Sequence, residues 1–283
     1  MVDICNSTEA QRIANHLGSV PNYSDQIEEQ IARLRQKTIV NLPQLENLHD
    51  FLDVRRQMRQ CCRVLGDSRT GKTVGCNSYR LRNKPTIEGG RPNVIPVVFV
   101  EPPPECTAKN LFTCILEGIR HHFTGGTIAQ LRQRTFEALK QSKVEMLIID
   151  EADRIRPTVF ADLRDIHDRL NIGITIIGTD RLDAVVKKDE QVYNRFRFKY
   201  TFGRLGGDAF KQTVVIWEQQ ILQMPVACNL THPDKLRILQ SYTEGYIGIL
   251  DMLLRGAAVQ ALKKGQSSID TETLQRVAEQ CPS

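Results

Sequence analysis

Eight consecutive residues, Gly66-Asp67-Ser68-Arg69-Thr70-Gly71-Lys72-Thr73, constrain this chain more than any other stretch. They fit G-x-x-x-x-G-K-[ST], a loop that cradles phosphate when it joins a buried strand to a helix N-terminus. The flanks supply that context. Cys62-Arg63-Val64-Leu65 is a short, largely apolar run, and Val74 to Leu81 can continue as a helix. In such a turn successive backbone N–H groups form a concave anion nest, and the helix dipole adds positive potential. Nucleotide contacts are expected from Gly66, Asp67, Ser68, Arg69, Thr70, Gly71, Lys72, Thr73 and Val74. Lys72 would neutralise the β- and γ-phosphates, and the Thr73 hydroxyl would take one position on Mg²⁺. A plain glycine turn is the other reading of the same residues.

A second stretch completes the chemistry. Met146-Leu147-Ile148-Ile149 reads as a buried strand and ends in two adjacent carboxylates, Asp150 and Glu151. An acidic pair at such a tip is costly unless it holds a cation or a water. Asp150 is assigned to the Mg²⁺ shell, directly or through water, and Glu151 to polarising the water that attacks the γ-phosphate. Alone, the pair would read as dipole-compensating acids at a helix start; a phosphate loop upstream favours catalysis. Ile174-Thr175-Ile176-Ile177-Gly178-Thr179 is another short buried strand with a polar end. Thr179 would hydrogen-bond the γ-phosphate or the lytic water, or is an ordinary strand-to-loop residue.

The rest of the chain is organised around this core. Residues 1 to about 35 read as helix, with Ile27, Ile31 and Leu34 at helical spacing. Ile39 to Pro43 breaks the pattern and is a candidate cover for adenine. A helix from about Gln44 to Gln60 ends in Arg55, Arg56 and Arg59, with Arg63 beyond, a set read as a solvated helix end in preference to a DNA contact. Val94 to Val100 reads as a further buried strand, Thr107 to His122 and Ile128 to Lys140 as helices, Thr158 to Leu170 as a helix, and Phe198 to Phe202 as a last strand. From Gly206-Gly207 onward the pattern is helical, with Asp270 as an N-cap of the last helix. The expected fold class is α/β, a parallel sheet flanked by helices and followed by a small α-helical lid. Its divisions are a helical segment 1–36, a nucleotide-binding core 37–205 and a lid 206–283.

Bulk properties exclude little. A chain of 283 residues with 41% hydrophobic and 25% charged residues reads as soluble and globular. No apolar run approaches the roughly 18–20 residues of a membrane span, and the first residues lack a signal-peptide layout, so a cytoplasmic protein is expected. The formal charge of +5 permits a polyanionic partner without requiring one. The eight cysteines show neither C-x-x-C pairs nor zinc spacing, and Cys61-Cys62 are read as reduced core residues.

The order of these elements resembles that of the AAA+ ATPases, with an extra strand at Val94–Val100 between the two nucleotide motifs and a Glu beside the Asp. More closely, GDSRTGKT, MLIIDEADR, IIGTDRLDAVVKKDEQVYNRFR and TEGYIGILDMLLRGAA resemble the TnsC/TniB family, ATP-dependent target-selection regulators of transposons related in role to MuB. The resemblance covers about residues 8–280 and is most similar to the compact TnsC of CRISPR-associated transposons. It implies rings or helical filaments of ATP-bound subunits on double-stranded DNA. The implied partners are a TniQ-type targeting protein, a TnsB-type transposase and an RNA-guided effector complex. It also implies an arginine reaching the ATP of the neighbouring subunit, for which Arg195 is the candidate by position, with Arg197 able to exchange roles or Arg195 serving only in a surface salt bridge.

For DNA the resemblance points to two loops, Cys106 to Asn110 carrying Lys109, and Thr124 to Thr127. Lys109 and the Thr127 hydroxyl would then contact phosphates without reading sequence; without the family, Lys109 is a helix-start lysine. One departure stands out. Many AAA+ lids carry an arginine after a Gly-x-Ile turn, whereas Gly245-Tyr246-Ile247 is followed here by Gly248. That contact is missing or supplied elsewhere, with Arg255 as one source, which fits slow, partner-stimulated hydrolysis. A helicase-loader or initiator ATPase, and a nucleotide-gated protein scaffold without DNA, are the alternatives.

Overall fold

Three short apolar runs that end in polar residues become neighbouring parallel strands. The computed structural model describes residues 23–36, 38–86 and 94–281. The part of the expected first helix before Tyr23, Cys5, and residues 87–93 of the polar stretch after the loop lie outside the described residues. The chain divides into two compact units. One takes the described residues up to Thr38, with Lys211–Tyr242 and those from Leu250 on; the other holds Ile39–Phe210 and Thr243–Ile249.

The second unit is an α/β layer structure. Its strands are β1 (Cys62–Leu65), β2 (Val97–Val100), β3 (Met146–Ile149), β4 (Gly173–Gly178) and β5 (Phe198–Thr201), in the spatial order β2-β3-β4-β1-β5. All pairings are parallel. β1, β3 and β4 have neighbours on both edges and are buried throughout, as near-continuous apolar runs require. β2 starts three residues later than the Val94 expected, because Pro96 has no N–H for a ladder and its carbonyl instead accepts from Glu145 and Met146. β5 lies at the sheet edge, and Phe198, Lys199 and Thr201 are exposed.

Around the sheet lie α2 (Pro43–Gln57), α3 (Lys72–Arg82), α4 (Ala108–Gly118), α5 (Ile128–Gln141) and α6 (Phe160–Leu170). Leu111, Phe112 and Ile115 of α4, Leu131 of α5 and Leu163 and Ile166 of α6 join one core with the strands. Two helices lack a sequence expectation: α7 (Asp180–Lys187), capped by Thr179, and α8 (Glu190–Arg195), capped by Asp189. At 8 and 6 residues they are too short for periodicity to register.

The first unit holds α1 (Tyr23–Arg35). Arg33 donates to the Ile221 carbonyl at 2.9 Å, and Ile31 and Leu34 are buried. α9 (Gly207–Ile216) runs on through a π-helical turn, Trp217–Leu222. α10 (Pro233–Thr243), α11 (Ile247–Lys263) and α12 (Thr271–Glu279) follow, and Asp270 caps α12 by accepting the Thr273 N–H at 2.7 Å. None of the described helices is long and apolar enough to cross a membrane. Cys61 and Cys62 are buried and unpaired, and burial pushes both thiols up to about 12.

The basic end of α2 is not solvated. Arg56 and Arg59 converge on Glu145, at 2.9 and 2.8 Å, and Arg55 stacks 3.9 Å above the Phe198 ring. Arg63 is only 3% exposed, paired with Asp183 and stacked on Tyr193 at 5.2 Å. These arginines tie α2 and β1 to the sheet. Glu145→Ala should therefore lower unfolding free energy by about 1–2 kcal/mol in a urea titration, since it strands two half-buried guanidinium groups. A loss below about 0.3 kcal/mol would restore the solvated reading.

Candidate functional site

Register decides where the polar ends fall. Leu65 pairs with Gly178 and Ile149 with Ile176, so β1, β3 and β4 end at one edge of the sheet. The phosphate loop, the acidic pair and Thr179 leave from that edge, where open parallel sheets place their ligands.

The loop residues Gly66 to Gly71 lead into α3, which starts at Lys72. Arg69 and Gly71 take φ of +64° and +101°, which turns the backbone. Lys72 Nζ donates to the Gly66 carbonyl at 2.7 Å and to the Asp67 carbonyl, which also accepts the Thr70 hydroxyl at 2.8 Å. Burial pulls the Lys72 ammonium below its usual range, against the opposing pull of Asp150, Glu151, Asp153 and Asp67. One buried cation thus faces four carboxylates. Phosphate oxygens are stronger acceptors for an ammonium than the two carbonyls that hold it here.

Asp150 is 2% exposed at the tip of β3. Its Oδ1 accepts the Glu151 N–H at 2.9 Å; Oδ2 is enclosed and meets no full hydrogen bond. Burial holds the carboxyl above its usual range, although the Thr73 hydroxyl nearby favours the charged form. A lone buried carboxylate oxygen beside a hydroxyl fits Mg²⁺, which takes one or two protein oxygens and completes its shell with water and phosphate. Among the described residues no three His, Cys, Asp or Glu side chains gather to hold a metal by themselves. Glu151 is exposed and left-handed, with φ +48°, at a cost of about 1 kcal/mol for a residue with a Cβ.

Thr179 has a partner that sequence reasoning missed. Its hydroxyl donates to Asp153 Oδ2 at 2.8 Å and its N–H to the same oxygen at 3.2 Å. The same hydroxyl accepts the Arg181 N–H as the cap of α7. A Cβ on Gly178 would collide with Asp153 Oδ1, so a side chain there would break this contact. With its proton given to Asp153, Thr179 ties the tip of β4 to the acidic turn. The clue lay in the sequence: Asp153 is the third acid of the run Asp150-Glu151-Ala152-Asp153.

Arg195 and Arg197 lie elsewhere. Phe198 pairs with Cys62, at the beginning of β1, whereas the loop leaves from its end. At about 3.3 Å per residue, roughly 13 Å of strand separates them from their own loop. Arg195 is bound bidentately to Asp168, at 3.0 and 2.7 Å, and donates to the Gln191 carbonyl. Arg197 is exposed, stacks 6.0 Å from the Tyr193 ring, and has no ion pair among the described residues. Arg255, a candidate for the lid contact, donates to the Leu34 and Gln36 carbonyls and to Asp251 within its own unit.

Lys109 and Thr127 are exposed. Lys109 stands on the first turn of α4, one turn before Thr113, whose hydroxyl donates to the Thr124 carbonyl at 3.4 Å. Thr127 caps α5 by accepting the Gln130 N–H at 3.3 Å. The loop before it is pinned by Arg134, which donates to the Phe123 and Gly125 carbonyls, and leaves the Phe123 ring 69% exposed. Val40 and Leu42 of the candidate adenine cover are buried and Ile39 is exposed. Gln44 donates to the Gly203 carbonyl at 3.0 Å, which holds that segment beside the end of β5.

Comparisons with known proteins bear on the family and the fold. The family model described as bacterial TniB protein matches residues 27–202, more than half of the chain. A "potential ATP-binding protein" of Staphylococcus aureus is 29% identical over 65 residues, 23% of this chain and 24% of that one, so the match spans about a quarter of the relative's length. Among solved structures, the ORC2 protein of Aeropyrum pernix, in ADPNP–ADP complexes, superposes with a TM-score of 0.66 at 13% identity, over 89% of this chain and 72% of that chain. The ORC1 protein of the same organism, in complex with DNA, gives 0.65 at 16% identity over 88% and 69%. Drosophila ORC bound to DNA gives 0.52 at 14% over 94% and 68%. At these identities the likeness is one of fold, the AAA+ α/β fold with strand order β2-β3-β4-β1-β5 and helices at its C-terminal end.

The buried Asp150 generates a stability prediction. A carboxyl whose folded pKa is raised costs stability as pH climbs above the unfolded value of about 3.9. Asp150→Asn should therefore raise the melting temperature of the nucleotide-free protein at pH 7 by about 2–4 °C, with the difference fading toward pH 4. Thermal melts at the two pH values check this, and a lower melting temperature at pH 7 contradicts it.

Proposed function

This chain belongs to the TniB family, and on that premise we propose an ATP-dependent regulator of transposition that assembles head to tail on double-stranded DNA. The observation that carries the proposal is the separation of Arg195 and Arg197 from the phosphate loop. Lys72, Thr73, Asp150 and Glu151 stand at the ends of β1 and β3, while Arg195 and Arg197 precede β5 at the other end of the sheet. An arginine that cannot reach its own loop is suited to the loop of a neighbour. Such a heterologous contact closes into a ring or continues as a helix.

In this reading ATP is the substrate. Lys72 and the loop N–H groups bind its phosphates, and Glu151 takes the proton of the attacking water. Thr73 and Asp150 would hold Mg²⁺, which neutralises charge on the β- and γ-phosphate oxygens. Thr179, bonded to Asp153, positions the acidic turn. The trans arginine meets the charge on the transferring phosphoryl group. Between the candidates, Arg195 is already oriented by Asp168 and would have to leave it, whereas Arg197 has no carboxylate partner among the described residues. Hydrolysis then loosens the joint between subunits, and we infer a slow, partner-stimulated rate.

Lys109 and Thr127, both exposed, are assigned to DNA phosphates. The partners that fit the family are a TniQ-type targeting protein and a TnsB-type transposase. In the CRISPR-associated subtype an RNA-guided effector complex joins them. A second reading, an initiator or helicase-loader ATPase, is favoured by the DNA-bound ORC proteins that share the fold. The two differ in partner and share the duplex.

Fluorescence anisotropy on a non-specific duplex tests the proposal. Binding should require ATP and fall with salt, and Lys72→Ala should abolish it. Lys109→Ala should reduce the salt slope by about one unit. Glu151→Gln should keep ATP-dependent binding, lower phosphate release at least 100-fold and leave longer-lived complexes. Duplex binding that ignores ATP, or normal turnover by Glu151→Gln, would overturn the corresponding assignment.

A further inference from the structure

A carboxylate on the second residue of a phosphate loop opposes the charge that the loop receives. Asp67 is such a residue, and a second cation meets it. Its Oδ2 accepts the Tyr246 hydroxyl at 2.9 Å and Arg204 Nη2 and Nε at 3.2 and 3.3 Å. Arg204 lies 4.2 Å from the centre of the Tyr246 ring and donates Nη1 to Glu244 at 3.0 Å. The carbonyl oxygen of Asp67 meanwhile accepts the Lys72 ammonium. One residue of the loop therefore stands between two cations, Lys72 at its backbone and Arg204 at its side chain.

The backbone near Arg204 is anchored to the same loop. The Leu205 N–H donates to the Gly245 carbonyl at 2.8 Å. Gly245 takes φ +81°, and a Cβ there would run into the Leu205 carbonyl, so only glycine fits. The Gly248 N–H donates to the Arg69 carbonyl at 2.9 Å. Segment 243–249 is thus bonded to the loop at both Asp67 and Arg69. The Arg204 side chain, by contrast, is 47% exposed, and exposed ion pairs hold weakly. Its present partners are two single carboxylates. A polyphosphate carries more charge and matches the guanidinium fork.

We propose that Arg204 is a second phosphate-binding cation, supplied by the same subunit, that rests on Asp67 and Glu244 and turns to the phosphate tail of a nucleotide held by Lys72. The proposal rests on the nucleotide reading above. Gly248 offers no side chain to the loop and Arg255 is engaged by Leu34, Gln36 and Asp251, which leaves Arg204 as an arginine that already touches a loop residue. Tyr246 keeps Asp67 hydrogen-bonded once Arg204 has moved.

The test is competition binding of ATP and AMP, with Mg²⁺, to the full chain and four variants. Arg204→Ala should weaken ATP about tenfold and AMP hardly at all, and Arg204→Lys should recover part of the loss. Asp67→Asn should tighten ATP by freeing Arg204, and in the Asp67→Asn background Arg204→Ala should still weaken it. Unchanged ATP affinity in Arg204→Ala overturns the proposal. So does a loss that disappears in the Asp67→Asn background, because Arg204 would then only cancel the charge of Asp67. If Arg204→Ala does not fold, Asp67→Asn decides alone: equal or weaker ATP binding overturns the proposal. Native protein that binds no ATP at all would defeat the nucleotide reading instead.

Discussion

Parallel pairing in register is the constraint on which the rest depends. Because β1, β3 and β4 run the same way and end together, three polar strand ends meet at one edge. A strand slipped by one residue would exchange the side chains packed on its two faces, and would move the Gly66 turn away from Asp150. The apolar runs of four to six residues therefore do more than fill a core. They set the distance between an anion-binding turn and a buried carboxylate.

Electrostatics at that edge is balanced for a ligand of mixed charge. Asp150 is buried with an oxygen short of a partner, and Lys72 is buried among four acids while bonded to carbonyls. A magnesium nucleotide brings a cation for the first and an anion for the second. Both groups lose solvation on folding, so the fold carries a cost that the proposed ligand removes. Arg204 extends the same logic. The Asp67 carboxylate within the loop is paired with Arg204, a cation that a polyphosphate can claim from it.

Much of this was legible in the sequence, for reasons that differ by residue. The loop and the Asp150-Glu151 tip were readable because spacing carries their chemistry: glycine where the backbone turns, a carboxylate where a strand stops. β2 was misjudged at one end because a single Pro96 outweighed an apolar run. Arg63 was unreadable, since a cation in a central strand depends on Asp183 and Tyr193 far along the chain. The Thr179–Asp153 bond and the Asp67–Arg204 pair depend on contacts across 26 and 137 residues, which no local pattern encodes. The assignment of Lys109 and Thr127 to DNA was carried by family resemblance alone, since no local pattern marks a phosphate contact.

The central claim is that ATP joins neighbouring subunits, with the phosphate loop of one completed by an arginine of the next. Electron microscopy of the protein with duplex DNA and a non-hydrolysable ATP analogue tests it most directly. The account expects subunits repeating head to tail around the duplex, with Arg195 or Arg197 of one subunit at the γ-phosphate held by Lys72 of its neighbour. Subunits whose nucleotide sites face solvent, with both arginines remote from every phosphate, would contradict it.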